Sequence, residues 1–340
     1  MTMRILLVNH EFTMSGASVN LLKIADHLVR SGHDCAVLPA RPSAGPIEAH
    51  YVRRGIPILA EAAFPDFDVA ICNTIRTGIV VSMAAPHTRT IWWIREAESG
   101  LEYILRRVPV ARAFRDASVV VVQHEHQRNN VYRSFLYARD PATVVVVPNG
   151  FRVAREGPGV PKTRPIRVVA VGTVYELKRQ GDLIRAVAQL NRPEIECVFI
   201  GSISDLGEAE QRIVQAAPDR FRFMGELPHE ETLAWMRSSD ICCLPSRSES
   251  HANTLFEAAL TGNALIATDL PTHRGIWRHG ENALLHPIGD VPALARAIAE
   301  LVDDPPLRLR LAEAAAKTAK EFTDERFFAN VDRVLAAACA

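Results

Sequence analysis

The sequence has no apolar run long enough to span a bilayer and no excess of charge of either sign. A membrane helix needs about 18 consecutive apolar residues, and no such run occurs in the 340 residues. Lysine plus arginine equals aspartate plus glutamate at 39 each, so no basic field indicates a nucleic-acid partner. The chain length and a hydrophobic content of 48% are typical of a globular protein with two domains.

Cysteine is scarce, and its spacing excludes the usual cysteine-based sites. The six cysteines contain no Cys-x-x-Cys pair, so neither a zinc site nor a disulfide framework is indicated. Five of them lie in or beside apolar segments, where cysteine behaves as a small hydrophobe. The opening apolar stretch is too short for a signal peptide and predicts a first strand. Together these features predict a reduced, cytoplasmic protein.

Motifs of cofactor-dependent enzymes are missing as well. No Gly-x-Gly-x-x-Gly follows any predicted strand, which argues against an NAD-dependent enzyme with tandem Rossmann domains. No acidic cluster indicates a catalytic metal. We therefore expect a protein that works without a metal ion and without a bound cofactor.

Short apolar strands alternate with amphipathic helices along the whole chain. Strand 4–9 precedes a helix in which Leu21, Ile24, Ala25 and Leu28 follow the spacing of one helical face. Near-continuous apolar strands indicate parallel sheets that are covered on both faces. The remaining predicted strands are 34–38, 68–72, 89–94, 118–122, 143–147, 166–171, 197–200, 221–224, 241–244 and 264–268.

The alternation stops once and then restarts. A stretch rich in proline and glycine at 157–165 predicts a linker. Residues 1–156 therefore form one predicted Rossmann-like domain and residues 157–320 a second one. Residues 321–340 form a predicted terminal helix.

The most informative stretch is 245–269, which predicts a polar loop, a helix and a strand. Asn253 is the predicted N-cap of the helix, and Gly262 suits the left-handed position after its end. Glu249 and Glu257 flank the helix start with seven residues between them. The first amides of a helix have no partner within it and can bind phosphate. Acceptors on both sides of a phosphate site suit a nucleotide sugar, which carries sugar hydroxyls, a diphosphate and ribose hydroxyls.

With Pro-Ser before it and Glu-Ala-Ala-Leu-x-Gly within it, this stretch resembles the Glu-x7-Glu region of the retaining family 4 glycosyltransferases. That family has the GT-B fold. The resemblance implies an α/β protein in which two Rossmann-like, doubly wound domains face a central cleft. It also implies that residues 321–340 cross back to the N-terminal domain, which would hold the acceptor. The alternative is a solvated loop glutamate followed by a glutamate on a helix surface.

The resemblance assigns donor-binding roles to residues of the second domain. Glu249 would hold hydroxyls of the donor sugar and Glu257 those of the ribose. Lys178 matches the lysine of the family motif Gly-Arg-x4-Lys-Gly and would bind the donor diphosphate. Thr173 stands where the motif has arginine, and Arg179 is a candidate substitute. The other donor-binding candidates are Gly16, in a turn similar to the family's Gly-Gly-Ala, and Ser246, His251, Ala252, Asn253 and Thr254.

Trp92-Trp93-Ile94-Arg95-Glu96 ends a strand and is similar to the stretch Trp-Trp-Ile-His-Glu of some family members. Arg95 stands at the histidine position and Glu96 is retained. A guanidinium can bind a phosphate or a hydroxyl, but it cannot act as a general base near pH 7. Glu249, Arg95 and Glu96 are the catalytic candidates. The alternative for Arg95 and Glu96 is a solvent-facing pair at a strand end.

The resemblance implies transfer of a sugar from a nucleoside diphosphate sugar to an unknown hydroxyl acceptor, with retained anomeric configuration. The acceptor would attack from the leaving-group face, and a donor phosphate oxygen would take its proton. The missing arginine and histidine leave open a non-catalytic nucleotide-sugar-binding protein. The apolar and basic segment 101–115 predicts either a core-packed helix with a basic outer face or peripheral contact with the inner face of a membrane.

Overall fold

The computed structural model describes residues 2–41, 44–153 and 156–339 and divides the chain into two compact units. Unit 1 contains the chain up to Gly150 and again from Thr323 onward, and unit 2 runs from Phe151 to Phe322. The sequence-based boundaries at 156/157 and 320/321 lie near these positions. The stretch at 157–165, predicted as a linker, falls within unit 2.

Unit 1 contains a six-stranded parallel sheet in the order β2-β1-β3-β4-β5-β6. Its strands are β1 (Arg4–Asn9), β2 (Asp34–Pro39), β3 (Val69–Asn73), β4 (Arg89–Trp93), β5 (Val119–Val122) and β6 (Val144–Val146). Its helices before Gly150 are α1 (Gly16–Arg30), α2 (Glu48–Val52), α3 (Gly78–Ala84), α4 (Glu98–Arg106), α5 (Ala113–Asp116) and α6 (Arg133–Leu136).

Unit 2 repeats the architecture with a parallel sheet in the order β12-β11-β10-β7-β8-β9. Its strands are β7 (Ile166–Val171), β8 (Ile195–Ile200), β9 (Phe221–Phe223), β10 (Ile241–Leu244), β11 (Ala264–Thr268) and β12 (Leu284–His286). Its helices are α7 (Gln180–Leu190), α8 (Glu208–Ala216), α9 (His229–Arg237), α10 (Asn253–Thr261), α11 (Pro271–Arg274), α12 (Val291–Asp303) and α13 (Pro305–Ala319).

The two sheets confirm the predicted α/β class. Each predicted strand is present, with ends that differ by at most two residues. Alternate residues of a strand face different cores: Ile5 and Leu7 of β1 pack on one side of the sheet, and Leu6 and Val8 on the other. Burial on both faces explains why the strands are continuously apolar. Strand β12 was not predicted.

The last helix, α14 (Asp324–Cys339), belongs to unit 1. Phe327, Val331, Val334 and Leu335 are buried in the same core as β1 and α1. Its first turn is held by Lys23, whose Nζ lies 2.6 Å from the Asp324 carboxylate and 2.9 Å from the Gly150 carbonyl. None of the described helices has the length and apolar character that crossing a bilayer requires.

A fully buried ion pair fastens the start of unit 2 to its sheet. Arg167 on β7 and Glu196 on β8 are both 0% exposed, with Nε and Oε1 2.8 Å apart. The Arg167 guanidinium also donates to the carbonyls of Val160 and Pro161, at 3.1 and 2.7 Å, and lies over the Trp235 ring. Because these bonds hold Val160 and Pro161 against β7, this part of the predicted linker is anchored to unit 2.

Replacing Arg167 by methionine is expected to lower the free energy of unfolding by about 3–5 kcal/mol, because Glu196 would remain buried without a counter-charge. Urea unfolding, monitored by tryptophan fluorescence, measures this change in the free energy of unfolding. The matched control is Arg212→Met, which removes an exposed pair with Glu208 and should change stability by less than about 1 kcal/mol. Equal unfolding midpoints for Arg167→Met and the wild type would contradict the prediction.

Candidate active site

The loops that follow β7 and β10 bring Lys178 and Glu249 together in unit 2. After β7 the chain turns at Gly172, whose φ of 131° is one that residues with a Cβ rarely adopt. Lys178 Nζ lies 2.6 Å from Glu249 Oε1, and the two side chains are 24% and 12% exposed. Ligands of parallel α/β sheets bind beyond the carboxyl ends of the strands, which is where this ion pair lies.

The Lys178–Glu249 ion pair keeps both of its groups charged. Burial works to raise the pKa of Glu249, but the charge of Lys178 and its hydrogen bond outweigh this effect, so the pKa is lowered. Burial likewise works to lower the pKa of Lys178, and the attraction to Glu249 raises it instead. The site therefore presents an ammonium and a carboxylate side by side at neutral pH.

Helix α10 places the other predicted carboxylate, Glu257, one turn inside its start. The predicted N-cap is wrong by one residue: Asn253 is the first helical residue, and Ala252 occupies the cap position without a side-chain hydrogen bond. Alanine has no side-chain acceptor, so the sequence signal pointed to the next polar residue. Gly262 ends the helix with a φ of 95°, as predicted. The Glu257 carboxylate lies 4.0 Å from the His229 imidazole.

His251 and Ala252 precede α10 with buried side chains. The His251 ring stacks on Phe256, with ring centroids 4.4 Å apart and planes 5° apart, and it also contacts Phe151 and Phe322. The side chain of His251 is thus part of the aromatic core of unit 2. This placement is compatible with the predicted role, which assigned ligand contact to the backbone amides.

Two more predicted donor residues, Ser246 and Thr254, lie next to the ends of β10 and β7. Ser246 follows Pro245 just beyond the end of β10 and is fully buried. Thr254 Oγ1 lies 3.4 Å from the carbonyl oxygen of Val171, the last residue of β7. Both residues therefore lie at the same edge of the sheet as Lys178 and Glu249.

The position of the missing arginine is filled by hydroxyl groups. Thr173 Oγ1 lies 3.3 Å from Ser202 Oγ, at the carboxyl ends of β7 and β8. Arg179, the predicted substitute, has its Nε 2.7 Å from the Asp182 carboxylate. Its guanidinium also lies close to Gly289. The structure thus brings Lys178 and Glu249 together and directs Arg179 toward α7 instead.

Helix α11 also supports the site through Thr272 and His273, a contribution that was not predicted from the sequence. Thr272 Oγ1 donates to the Glu249 carbonyl at 2.8 Å. His273 is 2% exposed, and its Nδ1 lies 2.8 Å from the Thr268 carbonyl. A carbonyl only accepts, so Nδ1 carries the proton, and the buried Nε2 has no hydrogen-bond partner among the described residues. The available signal was a polar side chain five residues after the last residue of β11.

Burial is the main cause of a lowered pKa at His273, and the charge of Lys178 adds to it. The hydrogen bond to Thr268 and the charges of Glu249 and Asp269 act in the opposite direction. The imidazole beside the Lys178–Glu249 pair is therefore neutral at neutral pH.

In unit 1, Arg95 follows β4 and is buried. Its Nε donates to Asn73 Oδ1 and its Nη1 to Asn149 Oδ1, both at 2.9 Å, and its guanidinium lies 4.8 Å from the centre of the Trp93 ring. Burial lowers the pKa of Arg95 to about 9, so it is still a cation at neutral pH. These contacts rule out the alternative of a solvent-facing Arg95–Glu96 pair.

The Glu96 carboxylate binds backbone amides. Its Oε2 accepts from the amides of Ile75 and Arg95 at 2.9 and 3.0 Å. Burial raises the pKa of Glu96, and these amide hydrogen bonds partly offset the effect. Glu96 therefore fixes the loop after β3, where Thr74 has a φ of 77° and a ψ of 161°, a strained conformation for a β-branched residue.

Gly16 is the exposed first residue of α1, and Ser15 caps the helix by accepting from the Ser18 amide. Asn73 connects this turn to Arg95, because its Nδ2 donates to the Ala17 carbonyl at 3.0 Å. The structure thus brings the α1 turn and Arg95 together through one asparagine.

The chain does contain one Asp-x-Asp pair, Asp66 and Asp68. It precedes β3, at the amino end of the sheet, and the Asp68 carboxylate accepts from the Arg4 amide at 2.8 Å. Within 2–41, 44–153 and 156–339, no three histidine, cysteine, aspartate or glutamate side chains gather in a metal-binding arrangement.

Two family models match the chain. The model described as Glycosyl transferases group 1 matches residues 154–318, and the model described as Glycosyl-transferase family 4 matches residues 1–115. With the two Rossmann-like sheets, these matches define a glycosyltransferase of the GT-B class. Within that class the chain belongs to glycosyltransferase family 4.

Curated relatives resemble parts of the chain. Phosphatidyl-myo-inositol mannosyltransferase of Mycobacterium leprae is 33% identical over 132 residues, which are 38% of this chain and 34% of the relative. Glycogen synthase of Mycobacterium tuberculosis is 26% identical over 320 residues, which are 90% of this chain and 72% of the relative. The chain matches 34% to 46% of the length of the first three curated relatives.

Solved structures resemble the whole chain. The structure of Anabaena HepE in complex with UDP-glucose has a TM-score of 0.81 at 18% identity, covering 98% of this chain and 100% of that chain. Sucrose-phosphate synthase from Thermosynechococcus elongatus has a TM-score of 0.78 at 18% identity, covering 98% of both chains. These likenesses confirm the predicted GT-B fold.

Replacing His273 by asparagine, which can keep the hydrogen bond to Thr268, is expected to flatten the acid side of the pH–stability profile. The unfolded chain binds a proton at this histidine below about pH 6.5, whereas the folded chain, with its lowered pKa, does not. Wild-type stability should therefore fall as the pH drops below about 6.5, by at most about 1.4 kcal/mol per pH unit for this group.

Urea unfolding between about pH 7 and pH 5 measures the effect. His286→Asn is a companion variant, because burial also lowers the pKa of His286 and a shallower slope is expected there too. Parallel profiles for His273→Asn and the wild type would contradict the assignment of a buried neutral imidazole.

Proposed function

We propose that this chain transfers a sugar from a nucleoside diphosphate sugar to a hydroxyl acceptor. The observation that carries the proposal is the Lys178–Glu249 ion pair at the carboxyl ends of β7 and β10. Lys178 would bind the donor diphosphate, and Glu249 would accept hydrogen bonds from the sugar hydroxyls. The first amides of α10 would add donors for phosphate oxygens, and Glu257 on the same helix would hold the ribose.

Catalysis in this proposal comes from stabilising the leaving diphosphate. As the bond between the sugar and the phosphate oxygen breaks, negative charge grows on the diphosphate, and fixed positive groups stabilise it most. Lys178 is such a group, because Glu249 and the loop from Gly172 hold its ammonium in place. The hydroxyls of Thr173 and Ser202, 3.3 Å apart, would donate to phosphate oxygens where the family has an arginine.

The proposal includes retention of the anomeric configuration and independence from metal ions. The acceptor oxygen would attack from the face that the diphosphate leaves, and a donor phosphate oxygen would take the acceptor's proton. No side-chain nucleophile is required, and the low pKa of Glu249 suits a hydrogen-bond acceptor. Lys178 and the α10 amides would supply the positive charge that a metal ion supplies elsewhere.

Unit 1 would hold the acceptor, with Arg95 as its main polar contact. The buried guanidinium is oriented by Asn73 and Asn149 and can bind a hydroxyl or a phosphate oxygen. Glu96 keeps the neighbouring loop in place through the amides of Ile75 and Arg95. Because Arg95 is a cation at neutral pH, its role would be positioning and charge stabilisation rather than proton removal.

Glu249→Ala and Lys178→Ala are each expected to reduce donor turnover by roughly 100- to 1000-fold, the usual effect of removing one transition-state contact. The measurement is release of nucleoside diphosphate from a panel of donors. UDP-glucose comes first, because HepE was solved in complex with it. Lys162→Ala is the matched control, since Lys162 forms an ion pair with Asp240 away from the site and its loss should leave turnover within about twofold.

Unchanged transfer in Glu249→Ala and Lys178→Ala would overturn the site. Proton NMR of the product tests retention, and full activity in EDTA tests metal independence. Calorimetric binding of a nucleotide sugar without turnover of any donor would favour the non-catalytic binding protein, which Thr173 in place of arginine leaves as the second candidate.

A second part of the proposal concerns a lipid surface. Leu105 of α4 and Val108 of the adjoining short helix (Val108–Arg112) are 68% and 71% exposed, beside the exposed Arg106 and Arg107. Exposed apolar side chains with adjacent cations fit an anionic membrane surface. The relative named phosphatidyl-myo-inositol mannosyltransferase supports a lipid-linked acceptor. We propose that these four residues touch anionic lipid.

Replacing Leu105 and Val108 together by serine is expected to weaken binding to vesicles of phosphatidylcholine and phosphatidylglycerol by roughly tenfold, because two apolar side chains no longer leave water. Co-sedimentation at low salt measures binding. Leu309→Ser is the matched control, because Leu309 lies in unit 2 and is 57% exposed. Equal sedimentation of the double variant and the wild type, or no wild-type binding, would remove the lipid proposal.

A further inference from the structure

Unit 2 has a second cavity at the amino ends of its strands, the opposite end of the sheet from Lys178 and Glu249. Its volume is about 270 Å³. Arg164, Pro193 and Arg220 line it and lie within two residues before the start of β7, β8 and β9. The rest of the lining comes from the segments that follow α7 and α8, with Asp219 as an exposed carboxylate.

Two guanidinium groups share this cavity without a carboxylate partner. In the described parts of the chain, neither Arg164 nor Arg220 has a carboxylate oxygen within 4.0 Å. Arg164 donates to the Pro193 carbonyl. Arg220 Nη2 donates to the carbonyls of Val187 and Arg192, at 2.9 and 2.7 Å. Carbonyl oxygens satisfy these donors but do not neutralise the two positive charges.

The surroundings of Arg220 disfavour its charge. Burial is the main cause of a lowered pKa at Arg220, and the positive charge of Arg164 adds to it, while Cys197 and Glu194 act in the opposite direction. Glu194 is shared with Arg192, whose guanidinium lies 3.5 Å from it. An anion in the cavity would offset the repulsion between Arg164 and Arg220.

A purely structural role accounts for only part of this arrangement. The carboxyl end of α7 carries partial negative charge, and a nearby arginine stabilises it. The hydrogen bonds from Arg220 Nη2 to the Val187 and Arg192 carbonyls stabilise the end of α7 in this way. They leave the Arg220 Nε buried and without a hydrogen-bond partner, and they do not explain a second guanidinium on the same cavity. Buried donors are rarely left unsatisfied.

We propose that this cavity is a second anion site, which binds the phosphate group of inorganic phosphate or of a small phosphate ester. Each guanidinium keeps N–H groups that the carbonyls do not use, and guanidinium groups bind phosphate oxygens through charge-assisted hydrogen bonds. A volume of about 270 Å³ is enough for a phosphate with a short organic group. It is smaller than pockets of about 300–1,000 Å³ that take drug-sized ligands.

The site is independent of the proposed sugar transfer, because it shares no residue with the donor site. Phosphate could also bind at Lys178, so an experiment must separate the two sites. The Lys178→Ala variant removes the donor-site cation, while Arg164→Gln and Arg220→Gln remove the cations of the second cavity. Arg212→Gln on α8 is the matched control, since Arg212 is exposed and pairs with Glu208.

Isothermal calorimetry with inorganic phosphate measures binding, and circular dichroism verifies that each variant is folded. We expect Arg164→Gln and Arg220→Gln each to weaken binding by roughly tenfold or more, and Lys178→Ala and Arg212→Gln to keep it. Arg220→Lys keeps the charge but loses the guanidinium group, so an intermediate affinity is expected. Tighter binding of glycerol phosphate than of phosphate would identify an ester as the ligand, and equal binding would identify the free ion.

The proposal is overturned by any of three results. The first is equal phosphate affinity in the wild type and in the double variant Arg164→Gln/Arg220→Gln. The second is loss of binding in Lys178→Ala, which would place the phosphate at the donor site. The third is no detectable binding to the wild type at millimolar phosphate.

Discussion

The candidate site of unit 2 depends on the requirement that two largely buried charges neutralise each other. Lys178 follows β7 and Glu249 follows β10, and these strands are neighbours in the sheet. Removing either charge from water is costly unless the other is within contact distance. The pair therefore fixes both loops in one arrangement, and α11 secures it further, because Thr272 donates to the Glu249 carbonyl. The local geometry of the site is a consequence of this constraint.

Strand and helix positions could be predicted from the sequence because burial on both faces leaves a simple signal. Strands such as β5 and β10 are continuously apolar, and the turn at Gly262 requires a left-handed conformation that favours glycine. The Lys178–Glu249 pair was predicted only as two separate ligand contacts. Spacing along the chain does not report a distance between residues 71 positions apart.

The remaining features of the site depend on contacts that no local pattern encodes. The alanine cap of α10 has no side-chain signal, and the neutral state of His273 arises from burial by distant segments. Arg179 was a reasonable substitute for the missing arginine, yet its left-handed backbone, with a φ of 52°, accompanies a guanidinium bonded to Asp182. The burial of Arg95 could not be predicted for the same reason, because it depends on asparagines 22 and 54 positions away.

The Lys178–Glu249 pair has a consequence for donor binding. In the ligand-free arrangement the ammonium is already neutralised, so a diphosphate that approaches Lys178 must share it with Glu249 or displace the carboxylate. In the second case Glu249 would need new donors, and sugar hydroxyls are suitable. A diphosphate without its sugar would then leave a buried carboxylate with fewer partners, which is costly. If the proposed donor binds here, the ion pair would favour a complete nucleotide sugar over the bare nucleotide, and Thr173 would strengthen the effect because it adds no second charge.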